Sequence, residues 1–370
     1  MDSIAVVAMD IHKKFSKAML MDEGARVVAE HDIKHGDPAG MREFLSIFEA
    51  GTHVVMEATF NWPWIADLAG QAGLRVHLVD PMRAREMARG YSKSDRKDAI
   101  YLGKLFLSAE IFPEVYLAPG EVRDKRYLFR HPDQSGLVRM RTAAKNAVHG
   151  QLFRLGYVTD QEVSDLFGVT GRQYLRSLVL KDKERLLLDE KLKVIDGLNE
   201  HLGFLESRIA DELREDSRAD IVMSIPGVGK LVGYAVLAEI GEIKRFPGPR
   251  ALAAYAGLLP LENQSAEKHM PKHTGQRFNR WLRWAAIEAV TGAVRSSGRM
   301  KSLYTRVKLR NRGMPGKARV AVAREILELA WLLLTRKERY QETPPGRPGS
   351  KDTRPSNPNR ASQTTLCARS

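Results

Sequence analysis

Four acidic residues in the first hundred positions have the types and the spacing of a metal site. Asp10 and Glu57 each end an apolar run that reads as a buried strand. Asp95 and Asp98 lie three residues apart at the start of a helical pattern, so they share one face of that helix. Carboxylates that are brought close together repel one another unless a hard cation such as Mg²⁺ lies between them. The pattern therefore predicts a metal site built from these four acids.

Each of these acids also has an ordinary structural interpretation. An aspartate at the end of a strand often makes a turn or a cap. Asp95 and Asp98 would stabilise the positive end of a helix dipole without binding any ligand. Their basic neighbours are natural partners for surface ion pairs: Lys93, Arg96 and Lys97. The order and spacing of all four acids, taken together, favour the metal interpretation.

The elements that must position the acids read as an α/β domain over residues 1–108. Apolar periodicity predicts the order β-β-β-α-β-α-β-α. The strands fall at residues 4–9, 17–21, 25–28, 52–56 and 75–79, and the first two helices at 38–49 and 63–72. Asn61 is available to cap the second helix, and Pro63 suits its first turn. Three strands before the first helix predict a mixed sheet and not a purely parallel one.

The middle of the chain, residues 109–220, reads as a loop followed by helices. Residues 113–132 are loop-like, and residues 136–153 form a basic helix that would lie along a phosphate backbone or simply face solvent. Residues 172–213 are helical, with leucine and isoleucine at heptad-like spacing. Such a seam predicts a coiled coil or a helical hairpin. Its partner is either the same chain or a second protomer, and we expect a homo-oligomer, a dimer or a dimer of dimers.

A tight glycine turn opens the next region, residues 221–340. The segment Ile225-Pro226-Gly227-Val228-Gly229-Lys230 precedes a helix of small residues, which is the pattern of a helix-hairpin-helix. Glycines at Gly227 and Gly229 would let the backbone approach a phosphate, and the helix N-terminus offers unpaired N–H donors. Lys230 adds a positive charge. The motif predicts a contact with the nucleic-acid backbone, and such a contact is independent of the base sequence.

The motifs at both ends of the chain resemble one known family. The run Gly257-Leu258-Leu259-Pro260, then Ser265, and then Asn279-Arg280-Trp281-Leu282-Arg283 look like the serine-bearing domain of DEDD-type insertion-sequence transposases. The N-terminal order of strands and acids resembles an RNase H-like domain of the RuvC type. The resemblance extends from residue 1 to about residue 340. It implies an α/β plus α architecture: an RNase H-like domain, a helical coiled-coil segment, and a mainly helical domain with a helix-hairpin-helix.

The family resemblance also implies a chemistry and its residues. Asp10, Glu57, Asp95 and Asp98 match the four metal-binding acids, which would hold Mg²⁺ as two ions. Ser265 matches the nucleophile that forms a covalent phosphoserine with DNA, although Ala266 and Glu267 stand where the family commonly has glycines. Characterised members are guided by an element-encoded bridge RNA. Three arginines at three-residue spacing on one helix face would hold phosphates near the serine, or would simply form a solvated basic face: Arg277, Arg280 and Arg283. Lys268 is a further candidate for contact with nucleic acid.

Composition agrees with a nucleic-acid partner. The 370 residues include 59 Lys and Arg against 45 Asp and Glu, a formal charge of +14. Such a field favours a polyanion, either nucleic acid or an anionic membrane surface. No apolar run reaches the length of a spanning helix, the N-terminus lacks a signal-peptide pattern, and the single cysteine, Cys367, allows no internal disulfide. These features predict a cytoplasmic protein without a membrane partner. Residues 341–370, rich in proline, predict a disordered tail.

Three functions remain open from the sequence. The leading hypothesis is a metal-dependent recombinase that mobilises an insertion sequence through the phosphoserine. A RuvC-like structure-specific nuclease would instead hydrolyse DNA with water and would not rejoin it. A nucleic-acid-binding scaffold would use the helix-hairpin-helix while the acids are only structural.

Overall fold

The computed structural model describes residues 4–36, 38–87, 94–108, 112–157, 165–259 and 278–342. The chain divides into two compact units, Met1–Glu121 and Val122–Ser370. The first unit contains the expected α/β domain. The expected segments 109–220 and 221–340 both contribute to the second unit, and the boundary between them stays a prediction.

The first unit is built on a six-stranded mixed sheet in the order β3-β2-β1-β4-β5-β6. Its strands are β1 Val6–Ile11, β2 Phe15–Met21, β3 Val27–Lys34, β4 His53–Glu57, β5 Arg75–Val79 and β6 Glu114–Val115. The pairs β1–β2, β2–β3 and β5–β6 are antiparallel, whereas β1–β4 and β4–β5 are parallel. The predicted mixed sheet is confirmed, and with its helices it is consistent with an RNase H-like α/β domain.

The third strand is longer than the sequence indicates. It runs to Lys34 and not to Val28, because its second half consists mostly of exposed polar side chains. β3 lies at the edge of the sheet, where polar residues are tolerated and the apolar alternation of a half-buried strand is weak. Periodicity alone therefore missed six of its residues, 29–34.

Helices cover both faces of this sheet. They are α1 Pro38–Ser46, α2 Trp62–Gln71, α3 Pro81–Met87 and α4 Asp95–Ser108. Successive strand residues face opposite sides: Val7 and Met9 pack with α1 and α2, whereas Val6 and Ala8 pack with α4. Asn61 occupies the N-cap position of α2, but its side chain makes no capping hydrogen bond; its Nδ2 donates to the carbonyl oxygen of His12 at 3.1 Å.

A glycine brings α4 close to the sheet. A Cβ added at Gly103 would lie 3.1 Å from the Cβ of Ala8 and would overlap the sulfur of Met21. A side chain at this position would require Met21 and Ala8 to shift, so glycine favours the close approach of α4 to β1 and β2. Because α4 begins at Asp95, this contact also helps to fix the height of two of the four acids above the sheet.

The second unit is helical in its described part. Its elements are α5 Gly120–Gln134, α6 Leu137–Arg154, α7 Val169–Ser177, α8 Asp182–Glu215, α9 Ala219–Met223, α10 Lys230–Ile240, a 3₁₀ turn at Ile243–Arg245, α11 Pro249–Tyr255, α12 Arg280–Ser296, α13 Gly298–Arg310 and α14 Pro315–Arg336. Among the described helices none is both long and apolar enough to cross a membrane.

The expected loop at residues 113–132 is wrong for most of its length. Residues 114–115 form β6 and residues 120–132 belong to α5, which leaves the short stretch 116–119 between them as a loop. α5 buries only Phe129 as an apolar side chain, so it lacks the apolar stripe by which an amphipathic helix is recognised. Pro132 lies inside the last turn of α5 and also suggested a loop.

The predicted leucine seam has a partner within the chain. Leu188, Leu192 and Ile195 of α8 are buried in one cluster with Val148 and Leu152 of α6. This part of the seam therefore packs against a helix of the same chain, α6. Whether the rest of the seam also contacts a second protomer stays a prediction. The predicted helix at 172–213 is also interrupted, since α7 ends at Ser177 and α8 begins at Asp182.

Candidate functional site

Two of the four acids lie side by side on the sheet. The parallel register pairs Met9 of β1 with Met56 of β4, so Asp10 and Glu57 occupy the next positions on neighbouring strands. Side chains in register on adjacent strands face the same side. That side is the one covered by α4, because Ala8 and Val55 belong to the α4 cluster.

The other two acids are brought over the same face by α4. Asp95 and Asp98 lie in the first turn of this helix. Among the described residues, one group of side chains offers ligand atoms within 4.8 Å of one another: Asp10, His12 and Asp95. Glu57 and Asp98 share the face but lie outside this group. The structure thus brings Asp10 and Asp95 together and places Glu57 and Asp98 nearby.

The electrostatics of Asp10 reflect this crowding. Burial raises the pKa of its carboxyl group above the usual value, since its side chain is only 17% exposed. The neighbouring His12 opposes the shift, and the negative charges of Asp98 and Asp95 add to it. A carboxylate that is desolvated and faced by like charges is stabilised by a bound cation. Asp10 therefore lies in an environment that favours cation binding.

His12 is a site residue that was not predicted from the sequence. Its Nε2 lies 3.1 Å from Oδ2 of Asp10 and 3.3 Å from Oδ2 of Asp95. This nitrogen is buried, yet it makes no hydrogen bond of good geometry in the described structure. One imidazole nitrogen and several carboxylate oxygens form a donor set that suits a divalent cation. The available signal was the Asp-x-His spacing at a strand end, because alternate strand residues face the same side.

Two cations on the same face of the sheet are paired with acids of β3. Lys17, which pairs with Asp10 in the β1–β2 register, places its Nζ 2.6 Å from Oδ1 of Asp32. Arg96, next to Asp95 on α4, donates from Nε to Oε2 of Glu30 at 2.6 Å. These ion pairs link the start of α4 to the edge of the sheet.

The glycine turn predicted to bind phosphate has two different halves. Gly227 has φ = +82°, and a Cβ there would overlap the backbone of Ala289 and Ala293 on α12. Gly227 therefore serves the packing of the turn against α12. Gly229 is the N-cap of α10, a Cβ added to it would meet open space, and Lys230 beside it is exposed. Gly229 and Lys230 offer the room that a phosphate needs.

These two glycines give a matched pair of variants. Gly227→Ala should lower the free energy of unfolding by about 2–5 kcal/mol, because it combines a positive φ with a backbone clash. Gly229→Ala should change it by only about 1 kcal/mol, since its φ is −85° and its surroundings are open. Urea unfolding of both variants measures the difference. Equal losses in the two variants would contradict the distinct roles assigned to them.

The predicted nucleophile, Ser265, lies outside the described residues, together with Lys268 and Arg277. The chain on either side of that segment is held together. The backbone N–H of Asn279 donates to the carbonyl oxygen of Tyr255 at 2.7 Å. Gly257 has φ = +65°, and a Cβ there would lie 2.6 Å from the ring of Phe278. The two ends of the segment therefore lie against each other.

The expected face of three arginines is described only from Arg280 onwards, since Arg277 lies outside the described residues. α12 begins at Arg280, with Asn279 before it as the N-cap. Arg280 is exposed and stacks over the ring of Trp281 at 4.6 Å. Arg283 donates a hydrogen bond to the carbonyl oxygen of Gly257. Of the two described arginines, Arg280 is thus the more accessible to a phosphate.

A buried carboxylate, that of Glu239, holds the start of α12 in place through hydrogen bonds. Glu239 of α10 has no exposed side-chain area. It accepts hydrogen bonds from Nε of Arg130 at 2.8 Å and from Nδ2 of Asn279 at 2.7 Å. Asn279 in turn caps α12, accepting from the backbone N–H groups of Trp281 and Leu282. Glu239 therefore joins α5, α10 and the start of α12. No sequence pattern marked it, because its partners are distant along the chain.

Comparison with known proteins agrees with this arrangement. A DEDD-type transposase family model matches residues 7–155, and the model of the IS116/IS110/IS902 transposase family matches residues 219–305. The transposase for insertion sequence element IS1111A of Coxiella burnetii is 27% identical and covers 92% of each chain. A probable family 20 transposase of Pseudomonas aeruginosa is 24% identical and covers 92% of this chain and 99% of its own. The first family model includes all four acids, the second includes the glycine turn and the start of α12, and the chain belongs to the DEDD-type insertion-sequence transposase family.

Proposed function

We propose that this transposase cuts and rejoins DNA by a metal-dependent reaction with a covalent phosphoserine intermediate at Ser265. The observation that carries the metal part is the convergence of Asp10, His12 and Asp95 on the sheet face that also bears Glu57. The serine part rests on the family resemblance of the segment after Pro260. Recombination needs both, since hydrolysis alone would not conserve the energy of the phosphodiester bond.

We propose that two Mg²⁺ ions are bound by the four acids: Asp10, Glu57, Asp95 and Asp98. The residues present fit such ions, because oxygen donors dominate and Asp10 is desolvated among like charges. Divalent ions bound there would stabilise the charge that develops on a reacting phosphodiester. The role of the protein is to hold the carboxylates at the end of β1, at the end of β4 and on the first turn of α4.

The serine step conserves the number of phosphoester bonds. The Oγ of Ser265 attacks phosphorus, a DNA oxygen leaves and takes up a proton, and the serine proton passes to a base. A DNA hydroxyl then attacks the phosphoserine and releases the serine. A free hydroxyl is a weak nucleophile, so it needs activation by a base or a metal. Each of the two steps breaks one phosphoester bond and forms another, so no external energy source is consumed, as strand exchange requires.

We propose that Gly229 and Lys230 contact the DNA backbone at the N-terminus of α10. Arg280, Arg283, Lys268 and Arg277 would hold phosphates around the reacting strand, and Gly227 would support the turn through its packing on α12. The guide RNA and the homo-oligomer are proposals that rest on the family resemblance.

Trapping of the protein–DNA adduct tests this function. Full-length protein is incubated with Mg²⁺, guide RNA and labelled DNA, and the reaction is denatured. We expect labelled protein from the wild type and from Ser207→Ala, an exposed serine of α8. Ser265→Ala should lower the yield by about 10³-fold or more, as loss of a nucleophile does. Cleavage without any adduct would instead identify a nuclease that uses water. The same gel separates both from a scaffold, which would neither cleave nor label.

A further inference from the structure

A strongly basic helical hairpin lies outside the residues assigned above. It consists of α13, the turn 311–314 and the start of α14. Residues 298–323 contain eight Lys and Arg and no Asp or Glu. Six of the eight are exposed and lie at or beyond residue 306: Arg306, Lys308, Arg310, Arg312, Lys317 and Arg319. We call these six residues the hairpin cations. Neither family model reaches them, since the second match ends at residue 305.

The hairpin cations differ from the other basic groups of this unit in their surroundings. None of the six forms an ion pair with an acid in the part of the chain that the structure describes. Elsewhere in the second unit exposed basic groups are often paired: Lys193 with Glu190, Arg208 and Arg214 with Asp211. At the base of the hairpin, Arg299 is paired with Glu325. Among the described residues, therefore, no acid compensates the charge on the outer part of the hairpin.

The backbone of the hairpin holds these charges in place. Met300 of α13 and Ala318 and Val322 of α14 have no exposed side-chain area, so both helices are anchored in the core. In the turn, the N–H of Gly313 donates to the carbonyl of Lys308 at 3.0 Å and the N–H of Met314 to that of Asn311 at 3.0 Å. A polyanion that binds here would meet a preorganised surface and would not have to order a loop.

We propose that the hairpin cations bind the phosphate backbone of duplex DNA, as a surface additional to the glycine turn. Arg306 and Arg310 lie one helical turn apart and can contact successive phosphates. Tyr304 of α13 is partly buried against the core, and residues 305–323 contain no Phe, Tyr or Trp. A surface without aromatic rings cannot stack unpaired bases, which is how single strands are held. The chemistry therefore fits a base-paired duplex contacted through its backbone, and its role is to hold the DNA and not to read it.

The inference takes DNA as the partner of this transposase, but it does not depend on the phosphoserine step. If no protein–DNA adduct is trapped, the proposal for the hairpin cations is unaffected, because it is tested by DNA binding alone. Each phosphate contact contributes about 0.9 to the slope of log K against log salt concentration. Neutralising three cations should therefore make that slope less steep by about 2–3.

The test compares two triple variants of the full chain. Arg306→Gln, Arg310→Gln and Lys317→Gln remove three hairpin cations. Lys193→Gln, Arg208→Gln and Arg214→Gln remove the same net charge from α8, where each residue has an acidic partner. Fluorescence anisotropy with a duplex of about 30 base pairs, a single strand of the same length and a duplex RNA gives Kd across a series of salt concentrations. Urea unfolding checks that both variants remain folded.

We expect the hairpin variant to bind duplex DNA about 10- to 100-fold more weakly near 0.1 M salt, with the reduced slope given above. The α8 variant should change Kd by less than about threefold, since only the long-range field is altered. Equal losses in the two variants would overturn the proposal, because charge alone would then explain the binding. A loss confined to the single strand or to RNA, with duplex DNA unaffected, would also overturn it.

Discussion

Asp10→Asn should abolish metal-dependent DNA cleavage, with a loss of about 10³-fold or more in rate. The substitution keeps the size of the side chain but removes a negative charge from the centre of the acid cluster. Asp10 is the residue that faces both His12 and the acids of α4. Cleavage of labelled DNA in Mg²⁺ measures the effect. Asp67→Asn, the same chemical change at an exposed position of α2, should leave the rate unchanged.

The same variant should not destabilise the metal-free protein. Because the pKa of Asp10 is raised, the folded state binds its proton more tightly than the unfolded chain does. Ionised Asp10 therefore reduces stability as pH rises through the folded pKa, and an uncharged Asn avoids this cost. We expect Asp10→Asn to unfold in urea, with EDTA present, at the same or a higher concentration than the wild type.

Added metal should separate the two proteins further. Mg²⁺ or Mn²⁺ should stabilise the wild type against urea and stabilise Asp10→Asn much less, since ligands that bind only the folded state raise its stability. Unchanged cleavage by Asp10→Asn would mean that the acids are structural, as in the scaffold interpretation. Loss of cleavage with unchanged metal stabilisation would place the cation elsewhere.

Glu239→Leu should lower the free energy of unfolding of the full chain by about 3–5 kcal/mol. The change leaves Arg130 without its carboxylate and removes an acceptor of the Asn279 side chain. Nearby Arg126, whose Nε lies 3.7 Å from Oε2 of Glu239, would also lose a counter-charge. Breaking a buried ion pair on one side is costly because the remaining charge stays desolvated. Urea unfolding followed by tryptophan fluorescence measures the loss, since Trp281 lies beside Arg130.

Two matched variants define the origin of this effect. Glu239→Gln keeps an acceptor but removes the charge, and should lie between Leu and the wild type. Glu206→Leu, on an exposed position of α8, should change stability by less than about 0.5 kcal/mol. If Glu239→Leu is as stable as the wild type, the ion pair is replaceable by packing, and the buried network does not hold the start of α12.

The central strands of the sheet were predictable from the sequence for a physical reason. β1, β4 and β5 are paired in parallel inside the sheet. Most side chains of β1 and β4 are therefore buried on both faces and form apolar runs, and β5 ends in the buried pair Leu78 and Val79. The limits of β5 were predicted to the residue, and those of β4 to within one. Edge strand β3 and helix α5 were misread, because their residues meet solvent or a buried ion pair and carry little local periodicity.

The acids were identifiable as a group because strand ends and a helix start limit where their side chains can lie. Parallel pairing of β1 and β4 then places Asp10 beside Glu57, as two adjacent parallel strands require. The assignment of metal to these acids remains a prediction. His12 was not identified, because a histidine two residues beyond a strand acid becomes a neighbour of Asp95 only once α4 is docked.

By itself the sequence determined the mixed sheet, the family and the helix that carries Asp95 and Asp98. These follow from patterns that repeat over a few residues, where strand and helix periods decide which side chains are buried. Only the tertiary structure decided that Gly227 packs on α12, that α6 pairs with α8, and that Glu239 is buried against Arg130. Each of these depends on residues tens of positions apart. Their contacts depend on the docking of whole helices, which leaves no short-range pattern in the chain.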